Sequence, residues 1–210
     1  QAAAVPEAFI TAHDALFTQG ELKKDEILLI HAVGSGVGLA ALQLAKAKNI
    51  RALGTSRTAD KLEKCRAFYG LDEGILTDRE TNFAEIIRGK TGGGSGGGVD
   101  VVLDLVGAKY LRENLESLNL KGRLILVGTP SGAGAELDYS LAMSKRLKII
   151  GTVLRSRPTQ EKADATRAFE NDVVPLIASG QIIPNIDRVF RLDEIRRAHE
   201  YLESNESFGK

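Results

Sequence analysis

The chain has 210 residues, 43% hydrophobic and 27% charged, an ordinary composition for a soluble globular domain. Lys+Arg and Asp+Glu both number 28, so the formal net charge is zero and no global field holds the chain to nucleic acid or to an anionic membrane. No apolar run approaches the roughly 20 residues that span a bilayer, and QAAAVPEAFI lacks the basic region of a signal peptide.

The first 25 residues are expected to be largely helical after Pro6. Strands and helices then alternate. ILLIH (27–31) reads as a buried strand, followed by a helix from Val37 to Lys48 with Val37, Leu39, Ala40, Leu42, Leu44 and Ala45 as its apolar surface. RALGT (51–55) is a second strand, and Thr58 to Tyr69 a second helix, closed by Gly70. Cys65, the only cysteine, sits in that helix and reads as a small buried hydrophobe. It excludes an intrachain disulfide and fits a reducing, cytoplasmic setting. GILTD (74–78) is a short third strand, and a helix with Phe83, Ile86 and Ile87 on one face follows at 83–88.

Gly89-Lys90-Thr91 resembles the end of a P-loop, but Ala84 stands where that loop needs a glycine, and the tripeptide follows a helix instead of a strand. The glycine-serine run at 92–98 reads as a flexible loop or an inserted linker. VDVVLDLVG (99–107) is a continuous apolar strand of the kind covered on both faces. A helix from Tyr110 to Leu118 and strands at 122–128 and 147–154 complete the alternation. The pattern predicts an α/β fold: a doubly wound, parallel, six-stranded Rossmann sheet with helices on both faces. Beyond it, Gln160 to Ala178 reads as one long helix, QIIPNIDRVF as irregular, and LDEIRRAHEYLES as a helix capped by Asp193. His13, His31 and His199 have no metal-ligand spacing, so no metal site is expected.

The chemistry is concentrated in IHAVGSGVGLAALQLAK (30–46). A dinucleotide turn needs close backbone approach to a pyrophosphate and helix N-terminal amides aimed at it. Gly36 and Gly38 permit both, whereas Val33 and Ser35 replace the first two glycines of Gly-x-Gly-x-x-Gly. Ser35 is small and can donate to a phosphate oxygen. At the end of the second strand, NAD binders usually place a carboxylate. Here Thr55, Ser56, Arg57 and Lys61 form a basic, hydroxyl-bearing cluster with no acid before Asp60, which suits the 2′-phosphate of NADP(H).

The glycine turn, the Ser56-Arg57 cluster, VVLDLVGAKY and GTVLRSR together resemble the quinone oxidoreductase group of zinc-independent medium-chain dehydrogenases/reductases, most of all its p53-induced quinone oxidoreductase branch. That group's turn commonly reads Ala-x-x-Gly-x-x-Gly, which becomes Ala32, Ser35 and Gly38 here. The resemblance implies three parts: 1–25, a connecting helix from an N-terminal catalytic domain outside this chain; 26–158, the Rossmann core; and 159–210, a helical return segment. It also implies roles. Thr11 would lie near the nicotinamide carboxamide. Ser35, Gly36, Val37 and Gly38 would form the pyrophosphate turn. Val106, Gly107, Val127 and Gly128 would line the nicotinamide side. Leu154, Arg155 and Ser156 would border the substrate cleft, and Lys210 is a further cofactor contact. A cofactor-binding tyrosine of many relatives is replaced by Asp78.

The expected activity is hydride transfer from NADPH to a quinone or another electron-poor alkene such as an enone. Tyr69, Tyr110, Tyr139 and Tyr201 read as core or surface residues, so the chain offers no evident proton donor. A 2-enoyl thioester reductase and a non-enzymatic dinucleotide-binding module are the alternatives. Neutral charge and few aromatics argue against nucleic acid as a partner. The uncharged IIGTVL segment predicts a homodimer joined along the strand at 147–154.

Overall fold

The computed structural model describes residues 2–78, 81–92 and 96–210. Six strands form one parallel sheet in the order β3-β2-β1-β4-β5-β6. They are β1 (Ile27–Ile30), β2 (Arg51–Ser56), β3 (Glu73–Leu76), β4 (Val99–Asp104), β5 (Leu118–Leu126) and β6 (Lys148–Gly151). The chain runs outward from β1 to β3 and then restarts on the other side of β1 at β4. The strand order therefore reverses between β1 and β4, and a crevice opens there at the carboxyl ends.

Alternation along each strand divides the core. Leu28 and Ile30 face one layer, built from α1 (Pro6–His13), α2 (Gly36–Ala47) and α3 (Ala59–Tyr69). Leu29, Leu53, Val102 and Leu124 face the other, where α4 (Phe83–Thr91) supplies Phe83 and Ile87, and α5 (Leu111–Ser117) supplies Leu115. Both faces are covered, as the continuous apolar strands require. No helix among the described residues is long and apolar enough to cross a membrane.

The predicted alternation holds, with boundary corrections that have local causes. The fourth strand ends at Asp104, not at 107, because the Asp104 carboxylate turns back to accept the Val106 and Gly107 amides at 2.8 and 2.9 Å. The long helix predicted over 160–178 is two, α7 (Thr159–Asp172) and α8 (Val174–Ala178). Pro175 has no N–H with which to continue the ladder, so the helix breaks at Val173. Asp193 does not cap α9 (Ile195–Glu203). It lies inside a 3₁₀ turn, Leu192–Glu194, and accepts from Arg191 Nε at 3.1 Å. An unforeseen helix, α6 (Tyr139–Lys145), is capped by Asp138, which accepts the Leu141 amide at 2.9 Å. Gly89-Lys90-Thr91 forms the last turn of α4, and Lys90 pairs with Glu73 at 2.7 Å, so it is no phosphate loop. Of the glycine-serine run, 93–95 lie outside the described residues.

Two glycines contrast. A Cβ at Gly54 would stand 2.8 Å from the Val33 side chain, whereas one at Gly89, inside α4, would meet nothing within 4 Å. Gly54→Ala is expected to cost about 1–3 kcal/mol by overpacking. Gly89→Ala is expected to stabilise by about 0.5–1 kcal/mol through helix propensity. Paired denaturant titrations read both signs.

Candidate functional site

The turn after β1 shows why two glycines of the usual spacing are dispensable. Ala32 takes the left-handed conformation at φ +47°, a modest cost for so small a side chain. Val33 is fully buried, donates its amide to the Thr55 carbonyl at 3.0 Å, and wedges its side chain into the space that Gly54 leaves open on β2. Val33 thus locks the turn to the neighbouring strand. Gly38 is required: a Cβ there would come within 2.5 Å of the Ala32 carbonyl and 2.7 Å of that of Val33.

Ser35 is the N-cap of α2, and its hydroxyl oxygen accepts the Gly38 amide at 3.1 Å. Its own proton stays free to donate outward. The amides of Gly36 and Val37, at the start of the helix, have no intrahelical acceptor and give the helix terminus its positive character. The C-terminal segment closes over this turn. Gly209 donates to the Gly34 carbonyl at 3.0 Å and bridges Ser35, while the Lys210 stem would lie 2.7 Å from a Cβ at Gly36.

A cleft of about 500 Å³ opens beside the turn at the carboxyl ends of the strands. Among the residues singled out from the sequence, Ser35, Thr55, Ser56, Arg57, Lys61 and Val106 line it. Arg57 and Lys61 bring two cations to one wall. Burial and the neighbouring Arg57 charge push the Lys61 ammonium below its ordinary pKa, and an anion placed between the two would relieve that cost. Lys61 Nζ also donates to the Asn205 carbonyl at 2.6 Å, which ties the C-terminal segment to this wall.

Several expected residues do not line this cleft. They are Thr11, Gly36, Val37, Gly38, Gly107, Val127, Gly128, Leu154, Arg155, Ser156 and Lys210. Two groups among them have evident anchors. The Val127 and Gly128 amides reach the Asp104 carbonyl at 3.0 and 3.3 Å. Leu154–Ser156 form a turn between Thr152 and Arg157, and both of those side chains bind the buried Asp14, three residues beyond Thr11.

Sequence reasoning missed Thr77, Leu105, Lys109, Tyr110, Pro130, Ser131, Asn205 and Ser207, all of which line the cleft. Most follow a strand's carboxyl end, a position the element pattern already marks. Tyr110 is therefore a cleft residue, not merely a core or surface one, and Thr77 rather than Asp78 faces the cleft after β3. The Asp78 carboxylate accepts from the Thr81 amide at 2.9 Å.

Residues 36–171 match the family model described as zinc-binding dehydrogenase. The chain belongs to that family. Within it, the chain is 32% identical over 215 residues to quinone oxidoreductase 1 of Escherichia coli K12, covering all of this chain and 63% of that protein. It superposes on a crystal structure of Escherichia coli quinone oxidoreductase complexed with NADPH with a TM-score of 0.85 at 32% identity, covering 99% of this chain and 63% of that one. The JamJ enoyl reductase in its apo form gives a TM-score of 0.83 at 26% identity, over 99% of this chain and 60% of that one. This member of the zinc-binding dehydrogenases spans less than two thirds of the length of the quinone oxidoreductases it matches.

The family description names zinc, but the described residues of this chain form no site for that metal. Among the described residues, no group of three or more His, Cys, Asp or Glu side chains could hold an ion. Cys65 is fully buried, and desolvation pushes its thiol up to about 12, the opposite of what a thiolate ligand needs. The native chain is accordingly expected to resist alkylation by iodoacetamide at neutral pH and to react promptly once unfolded in guanidinium. Mass spectrometry of the two samples distinguishes these outcomes.

Proposed function

We propose that this chain is the NADP(H)-binding domain of an oxidoreductase that transfers hydride from NADPH to a quinone or another electron-poor alkene. One observation carries the cofactor reading. The wall of the cleft beside the α2 N-terminus holds Ser56, Arg57 and Lys61, where an NAD-selective site would present a carboxylate. The likeness to a quinone oxidoreductase named as an NADPH complex supports the same reading.

The cofactor would supply the hydride, and the residues of this chain would bind and orient it. Ser35, Gly36 and Val37 would hold the pyrophosphate on the helix terminus, with Gly38 allowing the turn to sit close and Lys210 adding a charge beside Gly36. Thr55, Ser56, Arg57 and Lys61 would hold the ribose and its 2′-phosphate. Val106, Gly107, Val127 and Gly128, with Thr11 and the Leu154-Arg155-Ser156 turn, would face the nicotinamide. In this reading residues 1–25 connect to a catalytic domain outside the chain, 26–158 form the nucleotide-binding core and 159–210 return toward that domain. The reaction proposed needs no zinc and takes place in the cytoplasm.

A second reading is 2-enoyl thioester reduction, favoured by the likeness to enoyl reductases. The two differ in acceptor, not in cofactor, and comparing turnover of quinone and enoyl thioester substrates by the full-length enzyme separates them.

Titration of the chain with NADPH and NADH tests the cofactor reading. NADPH is expected to bind more tightly, and Arg57→Glu to weaken it by about one to two decades with a smaller effect on NADH. Unchanged NADPH affinity in that variant would falsify the phosphate assignment.

A homodimer joined along β6 is part of the proposal. β6 lies at the sheet edge, with Ile149 and the following Val153 exposed and no charge between them. Light scattering at micromolar concentration is expected to give twice the chain mass, and Ile149→Lys to return the monomer. A monomeric parent chain would remove this element of the reading.

A further inference from the structure

Beneath the cleft, a chain of hydrogen bonds crosses from β4 to β2. The Asp104 carboxylate accepts the Val106 and Gly107 amides through Oδ1 and Asn114 Nδ2 through Oδ2, the last at 3.0 Å. Asn114 Oδ1 lies 2.6 Å from His31 Nε2, and His31 Nδ1 lies 2.9 Å from Thr55 Oγ1. His31, Thr55, Asp104 and Asn114 are each at most 1% exposed. Phe83 and Tyr110 pack edge-on against the imidazole, with ring centroids 5.0 and 4.8 Å away.

With a neutral His31 ring the chain runs in one direction. An ionised carboxylate accepts and never donates, so the Asn114 amide nitrogen must face Asp104 and its oxygen must face His31. His31 Nε2 must then carry a proton, and on a neutral ring Nδ1 accepts and the Thr55 hydroxyl donates inward. Burial holds the imidazole below its ordinary pKa, with the Asp104 charge acting in the opposite sense, so a neutral ring is consistent with this order.

His31 and Asn114 do not line the cleft, but Thr55 and Val106, at the two ends of the relay, do, as does Tyr110, packed on the imidazole. We propose that His31 and Asn114 are positioning residues for the nucleotide, fixing the end of β2 against the loop after β4 through a hydrogen-bond relay whose direction Asp104 sets. This rests on the dinucleotide reading above. Neither residue touches the ligand. Their work is to hold the end of β2, the Thr55–Arg57 wall of its adenosine end, at one separation from the loop after β4 before it arrives.

The test uses 2′,5′-ADP, which carries the adenosine and the 2′-phosphate without nicotinamide. The unsubstituted chain, His31→Gln, His31→Leu and Asn114→Ala are titrated below their thermal transitions, and the histidine ring nitrogens are followed by NMR in the unsubstituted chain. His31 is expected to show a neutral ring with its proton on Nε2. A glutamine amide offers one donor and one acceptor at nearly the spacing of the ring nitrogens, so His31→Gln is expected to stay within about threefold of the parent. His31→Leu and Asn114→Ala are expected to bind about tenfold more weakly. The two breaks lie in different elements, so the test stands if one variant fails to fold. A purely structural role would lower the melting temperature and leave the affinity of the folded chain unchanged. Full affinity in the broken variants, or a proton on Nδ1, overturns the assignment while leaving the cofactor reading intact. Absence of binding by the unsubstituted chain overturns the cofactor reading and the positioning role with it.

Discussion

The mouth of the cleft depends on satisfying one buried carboxylate. A charge removed from water must be met by donors or it does not stay charged. Asp104, 1% exposed at the end of β4, receives two backbone amides and one side-chain amide on its carboxylate, while its backbone carbonyl receives two more amides from the segment after β5. Those five donors come from the loop after β4, from α5 and from the segment after β5. The loops are therefore not free to choose their path: each turns where Asp104 needs a partner. The crevice that the strand order opens between β1 and β4 gets its rim from this requirement.

A second constraint acts at the opposite wall, through volume instead of charge. Val33 fills the space Gly54 leaves empty, and Gly38 lets α2 approach the Ala32 and Val33 carbonyls. The spacing of glycines in this turn is a record of which backbone atoms come close. Where Gly-x-Gly-x-x-Gly has glycine, this chain has moved the missing side chain to the adjacent strand.

Much of this was legible in sequence. The alternation of apolar strands with helices gave the parallel sheet, because a strand covered on both faces has to be apolar throughout, as VDVVLDLVG is. The Ser56, Arg57 and Lys61 cluster was legible because all three belong to one strand end and the helix after it, so local spacing fixes their neighbourhood. What could not be read was long-range. Nothing in the run around Tyr110 says that it meets the His31 ring just after β1, or that Asn205 reaches Lys61 across 144 positions. Side-chain commitments were equally hidden. The strand pattern continued past Asp104 because periodicity sees only hydropathy, whereas the strand stops where a carboxylate turns to bind its own backbone. Pro175 was visible and should have ended the long helix.

The strap at Ser207–Lys210 has a consequence for how the molecule is assembled. Its bond from Gly209 to Gly34 joins positions separated by most of the chain, and closing so large a loop carries an entropic cost that only the contacts at the junction offset. Those contacts include the Gly34 carbonyl, the Asn185 carbonyl accepting from the Lys210 amide at 3.2 Å, the Lys210 carbonyl accepting from the Asp187 amide at 2.5 Å, and the Phe208 ring packed into the core. The glycine-turn end of the cleft is thus completed by a long-range closure anchored in the core, and opening that end means withdrawing Phe208 as well as breaking the strap's hydrogen bonds.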